Sequence, residues 1–414
     1  MPVPDAPTLH ELAPAGVDLA TDPYPLYAKL QAEGPVHRVH IPGSGDCWLV
    51  VAHDAARSAL TDPRLRNDIR HSASWDTDGG HAIGRNMLQS DPPQHTRLRR
   101  LVAAHFTPGR IGALRPRIEA ITDDLLDALP RTGPADLVSR YALPLPVTVI
   151  CELLGVPATD HALVHTWSNE LVMPTSPEAA SVATDRLTRR LAELVAESAA
   201  RPEDDTLLSR LAAAGADSPA ADGLDTEEHL ATEELLGMVF LLLVAGHETT
   251  VNLISATLHS LLTHPAELAR LRADPALTAA AVEESLRYNS PVHSTAFRFA
   301  AEPLTLAGTR IPAGDSVLVS LAAASRDPRR HSRPDEFDLT RRPGHLGFGH
   351  GAHHCLGAPL ARAEATVAVH RLLTRHPDLE AATDPATLTW RTSTLLRGLT
   401  ELPVRLTGTP AGHR

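Results

Sequence analysis

The pattern of hydrophobic and polar positions predicts a chain that is built mainly from helices. Apolar residues recur at helical spacing, with prolines between the segments, in 109–129, 145–155, 160–172, 177–200 and 205–214. Shorter helices are predicted at 22–30, 52–60, 265–271 and 278–288. Alternating patterns predict strands at 36–40, 47–51, 295–300, 303–307, 310–312, 316–321 and within 388–406. The predicted fold class is therefore mainly α with small β-sheets (α+β).

The most apolar helical pattern runs from Glu233 to Leu262, and it is apolar on nearly every side. Such a helix is expected at the centre of a fold. Its middle is interrupted by the polar run Ala245-Gly246-His247-Glu248-Thr249-Thr250. The Thr249 hydroxyl is expected to donate to the Ala245 carbonyl one turn back, which loosens or bends a helix. We expect Gly246 to remove bulk beside that opening. The sequence indicates no role for His247.

Two interpretations of this interruption remain open from the residues alone. The first is a polar kink without chemistry. The second is a groove that holds a diatomic ligand and a water molecule beside an acid and an alcohol, Glu248 and Thr249.

The strongest chemical signal is the segment from Gly347 to Arg362, G-F-G-H-G-A-H-H-C-L-G-A-P-L-A-R. Alternating glycines let the backbone approach a flat ligand closely and adopt φ values closed to other residues. After Cys355 the apolar spacing becomes helical, so Cys355 is predicted where a glycine-rich loop enters a helix. A helix start favours a thiolate over a thiol, which suits a metal ligand.

Three interpretations of this loop compete. A lone cysteine can be a buried structural residue, although that role needs neither three glycines nor neighbouring histidines. Zinc prefers four nitrogen or sulfur ligands, and His350, His353, His354 and Cys355 offer them, but adjacent residues seldom converge on one ion. The third interpretation is a haem iron held by one axial thiolate.

Composition and charge narrow the class of protein. The net charge of −12 argues against nucleic acid as a partner, because phosphate binding needs clustered cations. Three cysteines are too few for a disulfide scaffold, and Cys47 and Cys151 lie in apolar segments typical of a core. No export signal is visible, and the apolar run 235–246 is shorter than a membrane span. We therefore expect one cytoplasmic domain over residues 1–414, without a membrane anchor.

The run Phe348-Gly349-His350-Gly351-Ala352-His353-His354-Cys355-Leu356-Gly357 resembles the haem-binding signature of the cytochrome P-450 family, the haem-thiolate monooxygenases. The resemblance extends over nearly the whole chain. Ala245 to Thr250 is similar to the family's oxygen-activation motif A-G-x-E-T-T. Residues 91–99 are similar to D-P-P-x-H-x-x-x-R, and residues 284–287 to E-x-x-R. The implied fold places haem between the long central helix and the helix that follows the cysteine loop.

The resemblance also implies roles for individual residues. Cys355 would be the proximal iron ligand, with Phe348 packed beside it and Gly349 and Gly357 allowing close approach. The haem propionates would bind four side chains, His95, Arg99, Arg298 and His353. Two propionates bring negative charge into a poorly hydrated site, so cationic or N–H donors are physically required there. Without the resemblance, His95 and Arg99 could equally form a basic solvated face.

The same likeness implies a mechanism at the central helix. Thr249 would donate a hydrogen bond to dioxygen, Glu248 would relay protons, and Ala245 and Gly246 would lie beside the haem. An axial thiolate favours cleavage of the O–O bond. The expected activity inserts one oxygen atom into an organic substrate by hydroxylation or epoxidation, and reduces the other atom to water.

Electrons must come from outside the chain, because no dinucleotide-binding G-x-G-x-x-G follows a strand. The resemblance implies haem b and a monomer that takes electrons from NAD(P)H through a ferredoxin reductase and a ferredoxin. A basic patch at Arg97, Arg100 and Arg362 is expected to dock that acidic donor. Two alternatives remain, a peroxygenase driven by hydrogen peroxide and a non-catalytic haem protein of the same fold. The presence of Glu248, Thr249 and Cys355 argues against them.

A bracing pair is also expected. Glu284 and Arg287 lie three residues apart on one helix face, where such pairs are usually exposed. The resemblance implies instead that they are buried and support the haem-binding core. The chain departs from many relatives at Glu336, where they carry an arginine. Arg341 or Arg342 is the candidate substitute.

The substrate side is predicted more coarsely. Periodicity fails over 64–90, which is expected to form a loop that covers the substrate. Apolar lining residues suit a hydrophobic small molecule such as a polyketide, terpenoid or steroid. The predicted lining residues are Met87, Leu88, Leu171, Met173, Val244, Ala245, Val292, His293 and Leu395.

Overall fold

The computed structural model describes residues 6–75, 85–172, 174–201, 203–204, 206–214, 230–342 and 344–407. The helices in these ranges are α1 Leu9–Leu12, α2 Tyr24–Glu33, α3 His53–Thr61, α4 Gln94–Ala103, α5 Pro108–Ala128, α6 Pro144–Leu154, α7 His161–Val172, α8 Pro177–Ala199, α9 Leu207–Ala213, α10 Thr232–Thr263, α11 Pro265–Ala273, α12 Thr278–Tyr288, α13 Leu321–Ser325 and α14 Ala358–Arg375. The strands are β1 Val36–Ile41, β2 Gly45–Val50, β3 Leu65–Arg66, β4 Gly133–Asp136, β5 Arg298–Ala300, β6 Leu304–Leu306, β7 Thr309–Ile311, β8 Ser316–Val319, β9 Glu380–Ala381, β10 Trp390–Thr392, β11 Arg397–Leu399 and β12 Pro403–Leu406.

The predicted class, mainly α with small sheets, is confirmed, and the helix boundaries follow local signals. Pro108, Pro144 and Pro177 each occupy the first turn of a helix, where the missing N–H has no cost. Gly155 ends α6 in the left-handed conformation, with φ of 88°, as glycine does readily. The predicted segments therefore match α5 to α9 within about two residues at each end.

The described chain forms two compact units, which alternate along the sequence. The first unit comprises Met1–Asp76, Asn252–Cys355 and Pro377–Arg405. The second comprises Thr77–Val251, Leu356–His376 and Leu406–Arg414. The single domain over residues 1–414 stays a prediction.

The first unit is built on a five-stranded sheet in the order β1-β2-β8-β5-β3. Strands β2 and β8 run parallel, and the other neighbouring pairs run antiparallel. Successive side chains point to opposite faces of a strand. Val50 accordingly joins one apolar cluster, whereas Leu49 and Val51 join another. The sheet is thus covered by apolar residues on both faces, and it fixes the position of Arg298 in β5.

The second unit is helical. Helix α14 packs along α5, and the buried Tyr141 hydroxyl donates to the Ala368 carbonyl of α14 at 2.7 Å. At the edge of this contact, Arg371 pairs with Glu119 at 3.0 Å. Helix α7 packs on both α6 and α8. Helix α14, which begins three residues after Cys355, is therefore held by packing against α5, a buried hydrogen bond and an ion pair.

Helix α10 confirms the long helix predicted from Glu233 to Leu262. Among the described residues it alone is long and apolar enough to cross a membrane by length and composition. Its most apolar window is 72% buried inside the fold, which is typical of a core helix.

The prediction of an irregular segment over 64–90 is wrong at its start. Leu65 and Arg66 form β3, which pairs antiparallel with Ala300 and Phe299 of β5. Two residues are too few to produce a periodic pattern, so the sequence could not reveal this strand. Met87–Gln89 forms a short 3₁₀ turn. Residues 76–84 and the predicted surface loop at 215–225 lie outside the described residues.

Candidate active site

The loop that carries Cys355 has a conformation that requires glycine. Gly349 and Gly351 have φ values of 70° and 75°, in the left-handed region. A Cβ atom on Gly351 would lie 2.8 Å from the Leu60 carbonyl oxygen at the end of α3. The Cys355 N–H donates to the Phe348 carbonyl at 2.9 Å and closes the loop. The loop therefore presents Cys355 just before the start of α14, as predicted.

The three thiols differ in exposure. Cys47 and Cys151 are buried, and burial raises the pKa of each thiol to about 12, so both remain neutral core residues. Cys355 is exposed. The interpretation of Cys355 as a buried structural cysteine is therefore wrong. Among the described residues, the loop histidines do not form a metal-binding group with Cys355 either.

The centre of α10 has the predicted local geometry. The Thr249 hydroxyl donates to the Ala245 carbonyl at 2.9 Å. Ala245 is exposed and Thr249 is half-buried, although most of the surrounding helix is buried. The side of the helix that carries Ala245 and Thr249 is therefore accessible to a ligand.

Gly246 also lies at a close contact between two helices. A Cβ atom there would lie 2.6 Å from Cγ1 of Ile150 on α6, closer than carbon atoms can pack. The glycine is needed for the contact between α6 and α10, and its role beside the opening at Thr249 stays a prediction. A sequence motif cannot distinguish these two reasons for a small residue.

Glu248 lies in a buried polar cluster that sequence reasoning missed. Glu248 is 3% exposed and His247 is fully buried. Oε1 of Glu248 lies 3.4 Å from Nε2 of His247 and 3.6 Å from Nδ1 of His165 on α7. Residue His247, which received no role from the sequence, is thus the direct neighbour of the predicted proton-relay acid.

Helix α4 carries both His95 and Arg99, four residues apart. His95 is 3% exposed, and its pKa is lowered first by burial and then by the Arg99 charge four residues on. Asp91 opposes this shift only in part. Because its lowered pKa keeps the imidazole ring neutral near pH 7, His95 offers an N–H donor. Arg99 offers a positive charge.

Arg97 does not belong to an exposed basic patch. Its guanidinium donates to Glu234, which also accepts from Gln94 at 2.8 Å, and its side chain is 23% exposed. Arg100 is exposed and Arg362 is half-buried. The expected patch of three arginines is therefore wrong at Arg97, because an acid on α10 binds this side chain.

Two further predicted haem contacts lie in the first unit. Arg298 is 5% exposed, and its guanidinium donates to the Leu65 carbonyl at 3.5 Å. His353 is half-buried in the 3₁₀ turn Gly351–His353 of the cysteine loop. A guanidinium buried to this degree suits an anionic group as partner.

Glu284 and Arg287 form a buried ion pair, as the resemblance implied and the local pattern alone did not. Their exposures are 4% and 1%, and two parallel hydrogen bonds of 2.8 Å join them. Arg287 also donates to the carbonyls of Pro334 and Glu336. Nε of Arg341 lies 3.4 Å from Glu284. Arg341, not Arg342, therefore supplies the second guanidinium at this carboxylate.

The predicted substrate-lining residues have varied exposure. Leu88 and Leu395 are among the exposed large apolar residues, at 38% and 39%. Leu171, Val292 and Ala245 are half-buried or exposed, Met87 and Val244 are buried, and Met173 lies outside the described residues. His293 is 4% exposed, and its ring packs against Tyr24 and Tyr27. For all of these residues, a role in substrate binding stays a prediction.

Comparison with known proteins places these features in a wider context. The sequence model of the Cytochrome P450 family matches residues 178–384. The chain is 49% identical to the cytochrome P450 monooxygenase PikC of Streptomyces venezuelae over 99% of this chain and 97% of PikC. It is 44% identical to the vitamin D(3) 25-hydroxylase of Pseudonocardia autotrophica, over 93% and 94% of the two chains.

The same likeness is found among solved structures. The P450 monooxygenase TamI, solved with bound tirandamycin C, superposes with a TM-score of 0.86 at 43% sequence identity. The match covers 94% of this chain and 99% of TamI.

Proposed function

Because this chain belongs to the cytochrome P450 family, we propose that Cys355 provides the thiolate ligand of a haem b and that Thr249 and Glu248 handle the protons of oxygen activation. The chain is a haem-thiolate monooxygenase, an oxidoreductase that uses dioxygen and acts on a small hydrophobic molecule. The exposed thiol of Cys355 before α14 is the observation that carries the proposal.

The residues present are chemically suited to a haem. Cys355 is accessible, whereas the other two thiols are buried and held neutral. We propose that Arg99, Arg298, His95 and His353 bind the propionates, with the arginines contributing charge and His95 a neutral N–H donor. Phe348 and Gly349 shape the cysteine loop, and Gly357 precedes α14. When bound, the haem supplies the iron at which dioxygen is reduced and cleaved.

Within the chain, Thr249 and Glu248 would supply protons. The Thr249 hydroxyl now donates to the Ala245 carbonyl, so it must turn away from that carbonyl before it can donate to a ligand. The carboxylate of Glu248 is buried beside two imidazoles, His247 and His165, which can hold a proton near it. Protons delivered in this way are needed when one oxygen atom leaves as water.

For the electron supply, we propose that NAD(P)H donates through a ferredoxin reductase and a ferredoxin. The exposed Arg100, with Arg362, is the candidate contact for the acidic ferredoxin. A charge reversal, Arg100→Glu, should then raise the KM for ferredoxin. An unchanged KM at low salt would contradict this contact.

The proposed substrate is a polyketide, terpenoid or steroid. Support comes from the apolar side chains of Leu88, Leu395 and Val292, and from two relatives. One is a vitamin D(3) 25-hydroxylase, and the other binds tirandamycin C. The ferric protein should be titrated with vitamin D(3) and, separately, with tirandamycin C. The compound that binds as a substrate should shift the haem absorption from low to high spin. A shift with neither would argue against both.

Cys355→Ala tests the function most simply. The parent, reduced and exposed to carbon monoxide, should show the red-shifted absorbance band of a haem-thiolate, and the variant should lack it. The parent should also form product only with NAD(P)H and both redox proteins. Turnover with hydrogen peroxide and none with the redox proteins would favour the peroxygenase alternative instead.

A further inference from the structure

A cluster of metal-ligating side chains lies where α7 packs near the middle of α10 in the second unit. His165 and Ser168 come from α7, and His247 and Glu248 come from α10. The ligand atoms of His165, His247 and Glu248 all lie within 4.8 Å of one another. We infer that these three residues form a binding site for a divalent transition-metal ion, with Zn²⁺ as the probe, and that an ion bound there withdraws Glu248 from proton transfer.

The hydrogen bonds of His247 present the correct nitrogen to the cluster. Nδ1 lies 2.8 Å from the Leu243 carbonyl oxygen, which can only accept, so Nδ1 carries the proton in the neutral ring. Nε2 then keeps its lone pair, and it faces Glu248 at 3.4 Å. Metal-bound histidines are typically oriented in this way, with the second ring nitrogen donating to a carbonyl.

Ser168 is the hydrogen-bond partner of this lone pair. Its hydroxyl oxygen lies 2.9 Å from Nε2 of His247 and 3.0 Å from the His165 carbonyl. The single hydroxyl proton can be donated to either acceptor. A metal ion bound to Nε2 would replace this hydrogen bond, so the Ser168 side chain must rotate away from Nε2 while the backbones of α7 and α10 stay in place.

The spacing of the ligand atoms suits a small, borderline-soft cation. Ligands at the usual zinc distances of about 2.0–2.2 Å in a tetrahedron lie ~3.4 Å from one another. Two distances in the cluster, 3.4 Å and 3.6 Å, are equal or close to this value, and both involve Oε1 of Glu248. Two imidazoles and one carboxylate favour Zn²⁺, Cu²⁺ or Ni²⁺ over Mg²⁺.

Burial and access also suit a bound ion. Glu248 and His247 are buried, so a single negative charge there is stabilised by a cation. The side chain of His165 is 25% exposed and offers a route from the solvent to the cluster. A carboxylate oxygen bound to a metal ion cannot exchange a proton, and this consequence alone depends on the function proposed for Glu248.

Zinc binding to the untagged holoprotein tests the site. After removal of metal with a chelator, equilibrium dialysis should show one tightly bound Zn²⁺ per chain that is not displaced by a large excess of Mg²⁺. His165→Ala should weaken this binding at least tenfold. The matched control is His161→Ala, one turn earlier on α7 and outside the cluster, and it should bind zinc like the parent. Equal zinc affinity in His165→Ala and the parent would overturn the site.

Two further measurements locate the ion and test the metal site separately from its effect on proton transfer by Glu248. In zinc-soaked crystals, anomalous scattering should show a peak within about 2.2 Å of the three ligand atoms. A peak only elsewhere would overturn the inference. Zinc should also lower the ratio of product formed to NAD(P)H consumed in the parent, and it should not lower this ratio in His165→Ala. Each protein is compared with its own ratio in the absence of metal. Zinc bound at the cluster without this effect would refute the role of Glu248, while the metal site would stand.

Discussion

Replacement of Arg287 by methionine should destabilise the first unit strongly. Arg287 is 1% exposed, and its guanidinium makes two bonds to Glu284 and two to the carbonyls of Pro334 and Glu336. Methionine would leave the Glu284 carboxylate buried, with the Asp338 N–H and the more distant Arg341 as partners. Removing one member of a buried ion pair costs about 3–5 kcal/mol, because the remaining charge is uncompensated.

The expected shift in melting temperature follows from the size of the chain. An unfolding entropy of about 2.1 cal/mol/K per residue gives ~0.9 kcal/mol/K for the full chain when it unfolds as one unit. Arg287→Met should therefore lower the Tm by roughly 3–6 °C. Circular dichroism at increasing temperature, with haem content measured in parallel, is the appropriate assay.

The chain provides a matched control for this substitution. Arg333 pairs with Glu336 at 2.6 Å across the same separation of three residues, in a turn instead of a helix, and the two side chains are 65% and 52% exposed. Exposed pairs contribute only about 0–1 kcal/mol, so Arg333→Met should change the Tm by about 1 °C or less. If both variants melt within about 1 °C of the parent, the reasoning from burial is refuted. Equal large shifts would refute it too.

Three other predictions concern the core and the proposed site. Gly246→Ala should lower stability by about 1–3 kcal/mol, because the added methyl would lie 2.6 Å from Ile150. The double variant Gly246→Ala/Ile150→Ala should lose less stability than the sum of the two single losses, because the smaller side chain removes the clash. Denaturant midpoints would show this, and strictly additive losses would contradict it. His293 should make stability pH-dependent. Burial, with the Arg397 and Arg326 charges, lowers its pKa to about 3, so only the unfolded chain gains a proton as the pH falls below about 6.5. Stability should be full above about pH 6.5 and decrease toward pH 4, with a smaller slope in His293→Phe; parallel slopes would argue against this origin. Thr249→Ala should keep haem bound and divert electrons to hydrogen peroxide, so an unchanged ratio of product to NADH would contradict the proton-handling role.

Local patterns predicted much of the fold because the relevant forces are local. Helix α12 begins and ends where the pattern places it, at Thr278 and Tyr288, and the bond from Thr249 to Ala245 follows from helical spacing alone. Cys355 was recognised because glycines that allow positive φ surround a thiol just before a helix. Such features depend on residues within about one turn of each other.

Features that depend on distant residues could not be predicted in the same way. Burial of Glu284 and Arg287 depends on the segment 334–338, about 50 residues further along the chain, so spacing alone indicated an exposed pair. Gly246 is small because of Ile150 on another helix.

The cluster of His165 with His247 and Glu248 joins residues about 80 positions apart. Along the sequence, His165 lies in the predicted helix 160–172, and the neighbouring pair His247 and Glu248 lies in the long predicted helix from Glu233 to Leu262.

The central claim is that sulfur from Cys355 binds the haem iron, and resonance Raman spectroscopy tests it directly. Ferric protein should be prepared with natural cysteine and with cysteine that carries sulfur-34. Direct ligation by Cys355 predicts an iron–sulfur stretching band that moves to lower frequency with the heavier isotope and is absent in Cys355→Ala. A haem-loaded protein whose low-frequency bands do not respond to sulfur-34, with iron bound through nitrogen, would contradict the account.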